Sequence, residues 1–143
     1  MVLALALAAL AAGCSGVPSR VRDGKLPQTL DQNPVQAGFI EAIGIGAADP
    51  ALPSETQRKA LARDAAIVKA QYEMLSMVTG VTLDGGVTVS QAMEKHSNLE
   101  AELRAVIRGA EIRKTEFTAD NGCVVTLRLP KSRLEKLMGV RLD

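Results

Sequence analysis

Cys14, Cys123 and His96 are the side chains of this 143-residue chain best suited to nucleophilic or acid–base chemistry. A thiolate attacks carbon and binds soft metals, and an imidazole titrates near neutrality. Their number and spacing restrict what they can do together. A single histidine cannot build a histidine-rich metal site, and Cys123 has no neighbouring cysteine to complete a zinc set. Cys123 opens the alternating apolar stretch Cys123-Val124-Val125-Thr126-Leu127, which predicts a buried, inert thiol. With two cysteines, no disulfide framework is available. Gly44-Ile45-Gly46 lacks the third glycine of a dinucleotide loop, because Asp49 holds that position and Pro50 and Pro53 interrupt the approach to the next helix. Asp84-Gly85-Gly86 has too few oxygen ligands for a calcium loop and reads as a turn. Met74, Met77 and Met93 lie at helical positions and read as packing rather than copper ligands. The expectation is a protein without catalytic residues, metal or cofactor.

Cys14 is a different case, because of what precedes it. Val2 to Ala12 is an uninterrupted apolar run of eleven residues. A spanning helix needs about 20, whereas this length suits the apolar region of a signal peptide. Leu10-Ala11-Ala12-Gly13-Cys14 then resembles the lipobox of bacterial lipoproteins. Ala11 stands where the lipobox usually has leucine, and no Lys or Arg precedes the run. The resemblance implies cleavage before Cys14 and transfer of a diacylglycerol to its sulfur. Each buried methylene of such an anchor gains about 0.8 kcal/mol, and two or more chains make attachment stable. Ser15 rather than aspartate follows the cysteine, which by the same resemblance implies sorting to an outer membrane. The expected organisation is a signal peptide over 1–13, a lipidated cysteine and flexible tether over 14–37, and one periplasmic domain over 38–143.

The tether expectation rests on composition. Ser15 to Ala37 holds Pro18, Pro27, Pro34, Gly16 and Gly24 and shows no sustained periodicity. As a random coil it would span about 25 Å.

Beyond it, Gly38 to Gly46 reads as a strand with Phe39, Ile43 and Ile45 on one side. Ile40, Ala42, Gly44 and Gly46 form the other, a face that shrinks as if to admit a helix backbone. Ser54 to Gln57 fits a capping box. Leu61, Ala65, Val68, Tyr72 and Leu75 then recur at spacings of 4, 3, 4 and 3, which predicts the buried face of a long helix. Ala62, Ala66 and Ala70 broaden that stripe with small residues able to sit over the glycines. Gly80 is expected to end the helix, and Gly109 to end a second one that begins at Ser90 and uses Ala92, His96, Leu99, Leu103 and Val106. A strand or hairpin is expected around Asp84-Gly85-Gly86. The apolar parity changes between Ile112 and Phe117, which predicts a β-bulge. Asp120-Asn121-Gly122 is a turn, Cys123 to Leu129 the clearest strand, and Lys131 to Met138 a short helix. The fold class is α+β: a small antiparallel-rich sheet with one long and one or two shorter helices mainly on one face.

The stretches "EAIGIGAAD", "RKALARDAAIVKAQYEMLSMVTGVTL", "IRGAEIRKTEF" and "GCVVTLRLP" together resemble the Lpp-twenty family of outer-membrane lipoproteins. They are also similar to the N-terminal module of flagellar assembly protein T. The markers are Gly44, Ala62, Ala65, Ala66, Gly80 and Gly109, which together with Gly46 are the expected packing positions. The resemblance implies a non-enzymatic module, some relatives of which build flagellum-associated rings.

Composition agrees with an assembly role. The net charge of +1 gives no global case for nucleic acid. Residues 38–103 carry nine acids and five bases, and 104–143 nine bases and five acids. Such a chain either mixes these charges on folding or presents a dipolar subunit suited to head-to-tail contacts. The expected partners are the membrane, through lipid on Cys14, and further copies or other envelope proteins. The alternative expectation is a periplasmic module binding a small ligand or peptidoglycan.

Overall fold

The computed structural model describes residues 16–28, 30, 32, 36 and 38–142. Its elements run β1 (Phe39–Gly46), α1 (Glu55–Thr79), α2 (Val89–Lys95), α3 (Leu99–Arg108), β2 (Glu111–Phe117), β3 (Cys123–Pro130) and α4 (Lys131–Met138). The strands form an antiparallel sheet in the order β1-β3-β2. This is the small α+β architecture that the apolar patterning predicts.

β3 is central because it is the most apolar strand and is buried on both sides. Cys123, Val125, Leu127 and Leu129 face α1 and join Ile40, Ala42, Met74, Leu103, Ile107 and Leu134 in one core. The bulge falls between Ile112 and Lys114. It lets Ile112 pair with Leu127 and Phe117 with Cys123, so both reach the helix-covered face despite their odd separation. The hairpin turn closes with Asn121 at φ 66° and Thr118 N–H donating to Gly122 O at 2.9 Å.

Two local expectations are corrected, and the third, a short hairpin at Asp84-Gly85-Gly86, is met. Ser54 precedes α1 with extended backbone, but its side chain makes no capping hydrogen bond. The capping box lies at α2 instead: the Thr88 side chain accepts from Gln91 N–H at 3.2 Å, and Gln91 accepts from Thr88 N–H at 2.9 Å. The expected second helix is two, because His96 adopts an extended conformation (φ −131°, ψ 99°) that separates α2 from α3. Asp84-Gly85-Gly86 is a turn whose flanks meet in an isolated bridge, Thr82 to Thr88, outside the sheet. Leu83 bridges Leu142 rather than a strand. Thr88→Ala is expected to lower stability by about 1 kcal/mol, read as a shift in the urea midpoint.

The second face of the sheet is also covered. Ile43, Val124 and Thr126 point away from α1, yet each is at most 4% exposed. The N-terminal segment crosses this face. Lys114 Nζ donates to Val17 O at 3.1 Å. The Glu116 carboxylate accepts from the Ser19 hydroxyl, from Arg20 N–H at 2.9 Å and from Val21 N–H at 3.4 Å. Ala119 N–H donates to Gly24 O at 2.8 Å. On the far side, the Gln32 amide pairs with the backbone of Ile43 at 3.2 and 3.4 Å, covering the open edge of β1. Composition places these residues in a flexible tether, but their described part is a strap fastened to the sheet. Its bonds run through backbone groups and polar side chains, so it needs no apolar periodicity.

Candidate interaction surfaces

The predicted packing residues meet where β1 passes under α1. A Cβ placed on Gly44 would lie 2.0 Å from Ala66 O and 2.4 Å from Ala70 N. One placed on Gly46 would lie 1.9 Å from Ala62 O and 2.7 Å from Ala66 N. Helix backbone therefore rests directly on strand backbone, and Ala62, Ala66 and Ala70 are fully buried between them. Ala65 does not share this contact and is exposed. Gly80 and Gly109 end α1 and α3 with negative φ, so neither needs glycine for its conformation.

The expected core stripe of α1 is reversed. Leu61, Val68 and Tyr72 are 52%, 64% and 64% exposed, while Ala62, Ala66, Ala70, Met74 and Val78 face the sheet. Helix α1 carries two apolar stripes, and the glycine floor of β1 selects the smaller one. Leucine, valine and tyrosine side chains cannot fit where the two backbones touch. The larger stripe consequently faces solvent, bordered by Arg104, Ile107 and Arg108 of α3 beside Val68, Tyr72 and Leu75.

The reactive residues are scattered. Cys14 lies outside the described residues. Cys123 is fully buried, and burial pushes its thiol pKa up against an opposing effect from Arg63. A thiol so held is a poor nucleophile. His96 is exposed at the α2–α3 junction and lines an open cavity of about 690 Å³ with Leu83, Ala92, Leu99, Leu137 and Met138. Met74 is core, and Met77 and Met93 pack against it. Among the described residues, no cluster of three or more His, Cys, Asp or Glu could hold a metal ion.

The charges of the two halves partly mix. Glu41 from the acidic half holds Arg128 from the basic half at 2.9 Å and lies 3.9 Å from Arg20 of the strap. The Arg128 guanidinium also stacks 3.8 Å from the Phe39 ring centre. On α4, Arg133 donates to Gly109 O at 2.6 Å and so holds the end of α3, a role its charge did not announce.

No helix among the described residues is long and apolar enough to cross a membrane. Comparison of the chain with protein-family models, curated proteins and solved structures gives no match.

Proposed function

We propose that this chain is an outer-membrane lipoprotein facing the periplasm, fixed by lipid on Cys14, whose domain is a structural assembly module. The observation that carries the assembly role is the outward face of α1, where Leu61, Val68 and Tyr72 stand in water along one stripe. Single exposed apolar residues are ordinary, but a continuous stripe of large ones marks a contact surface. The anchor is supported by the sequence Leu10-Ala11-Ala12-Gly13-Cys14 at the end of an apolar run. Likeness to Lpp-twenty lipoproteins extends the proposal to an envelope complex, flagellar machinery among the candidates.

The anchor is tested by fractionating cells that express wild type or Cys14→Ser, with acyl labelling. Wild type is expected to be labelled and to sediment with outer membranes, and Cys14→Ser to lose both properties. Labelling or partition independent of Cys14 would overturn the proposed location.

The cavity beside His96 favours a second reading, a binding module for a small ligand or peptidoglycan fragment. Apolar walls with a few polar groups are the usual form of such sites. A rise in melting temperature with muropeptides, lost on filling the cavity with Ala92→Phe, would support it over assembly.

A further inference from the structure

The stripe exposed on α1 has a period that its buried stripe lacks. Toward the sheet, Ala62, Ala66, Ala70, Met74 and Val78 repeat every four residues, on the helix that packs against β1 and β3. Away from it, Leu61, Ala65, Val68, Tyr72 and Leu75 repeat at 4, 3, 4 and 3, the first four exposed and Leu75 half-buried against the edge of the core. An average of 3.5 residues is the period of a left-handed coiled-coil seam, which keeps a stripe facing a second helix. In heptad terms Leu61, Val68 and Leu75 hold d positions, and Ala65 and Tyr72 hold a positions.

We propose that α1 pairs with α1 of a second copy of this chain, in parallel, through this seam. The inference rests on the assembly reading and specifies its contact. Charge fixes the orientation. Asp64 and Lys69 flank the seam at g and e positions, five residues apart. In a parallel pair, g of one helix meets e of the next heptad on the other, so Asp64 of each copy faces Lys69 of its mate. In an antiparallel pair like positions meet, and neither complement forms. Lys69 already holds Glu73 of its own helix at 2.7 Å, so each Asp64 joins an existing ion pair. On the α3 side of the stripe, Arg104 is neutralised by Glu100 at 2.8 Å, and Arg108 stands beside it.

Topology agrees. The seam is opposite the sheet, so two copies meet helix to helix with their sheets and straps outermost. A parallel pair has its two-fold axis along α1, which puts both N-termini at the same height, as two chains anchored in one membrane require. From Leu61 to Leu75 the seam is about 21 Å long. Alone it buries less than the roughly 800 Å² per partner of standard stable interfaces. The pair is therefore weak in solution and strengthened where anchoring concentrates the chains.

The test uses full-length Cys14→Ser, Cys123→Ala protein carrying one new cysteine on α1. Leu61→Cys and Leu75→Cys are each expected to give disulfide-linked dimers under mild oxidation, and Ala60→Cys, off the seam, none. Two positions two heptads apart can each meet their own copy only in a parallel pair. Without added cysteines, Asp64→Lys should weaken dimerisation about tenfold by sedimentation, and Asp64→Lys with Lys69→Asp should restore it. Cross-linking at one position alone would overturn the parallel seam. Self-association with no seam cross-link would overturn this inference and leave the assembly reading intact. A strict monomer at millimolar concentration and low salt would overturn both.

Discussion

Gly46→Ala is expected to lower stability by about 3 kcal/mol or more, and Gly46→Val to prevent folding. Overpacking a core typically costs about 1–3 kcal/mol, because side chains shift to make room. Here nothing can shift easily. The new methyl would sit 1.9 Å from Ala62 O, an atom of the helix backbone. Helix α1 would have to lift from β1 along its length, opening a gap over Ala62, Ala66 and Ala70. Gly44→Ala should behave alike, its Cβ lying 2.0 Å from Ala66 O. Gly80→Ala is the control: φ is −84° and the nearest atom to a new Cβ is Met77 O at 3.6 Å. It should change stability by no more than about 0.5 kcal/mol. Urea unfolding followed by far-ultraviolet circular dichroism reads all three. A loss under about 1 kcal/mol for Gly46→Ala would mean that α1 does not rest on the strand backbone.

Glu116→Ala should release the strap while leaving the domain folded. One carboxylate accepts from Ser19, Arg20 and Val21, and truncation leaves those donors without it. Hydrogen bonds to a charged group contribute about 1.5–3 kcal/mol, and a donor left unsatisfied adds to the cost. Faster amide exchange is expected at Arg20 and Val21 and at Val124 beneath them, with protection in α1 unchanged. Equal acceleration throughout would show that the strap is not a separate unit. The same contact predicts a pH response. Burial pushes the Glu116 carboxyl up, but hydrogen bonds from Ser19, Arg20 and Val21 and the charge of Lys114 outweigh it, and the net shift is downward from 4.5. A folded-state pKa below the unfolded one contributes stability above the unfolded value, lost as pH falls through the folded one. Strap residues should therefore open below pH 4.5 in wild type, and Glu116→Gln should flatten that dependence. Cleavage within residues 17–28 by pepsin across the acid range reads the effect.

Much of the scaffold is legible before folding is considered. β3, its hairpin turn and α4 follow from alternation, an Asp-Asn-Gly turn and a short apolar period. The bulge follows from the parity of Ile112 and Phe117, and the glycine floor from the shrinking face of β1. These depend on neighbours in sequence or on a single close approach. The strap escapes notice for the opposite reason: Glu116 recognises backbone N–H groups of Arg20 and Val21, which every residue but proline offers. Its partners are 95 and 96 positions away, and no local pattern encodes them.

Helix α1 divides the two kinds of information most clearly. Its sequence determines that two apolar stripes exist, one small and repeating by four, one large and repeating by 3.5 on average. Side-chain size and spacing alone set that. Which stripe enters the core was decided only in the tertiary structure, where Gly44 and Gly46 bring β1 so near that alanine fits and tyrosine does not. The periodicity predicts an amphipathic helix in either case, since both stripes satisfy it. Steric exclusion at the strand chose between them and left the larger stripe in water.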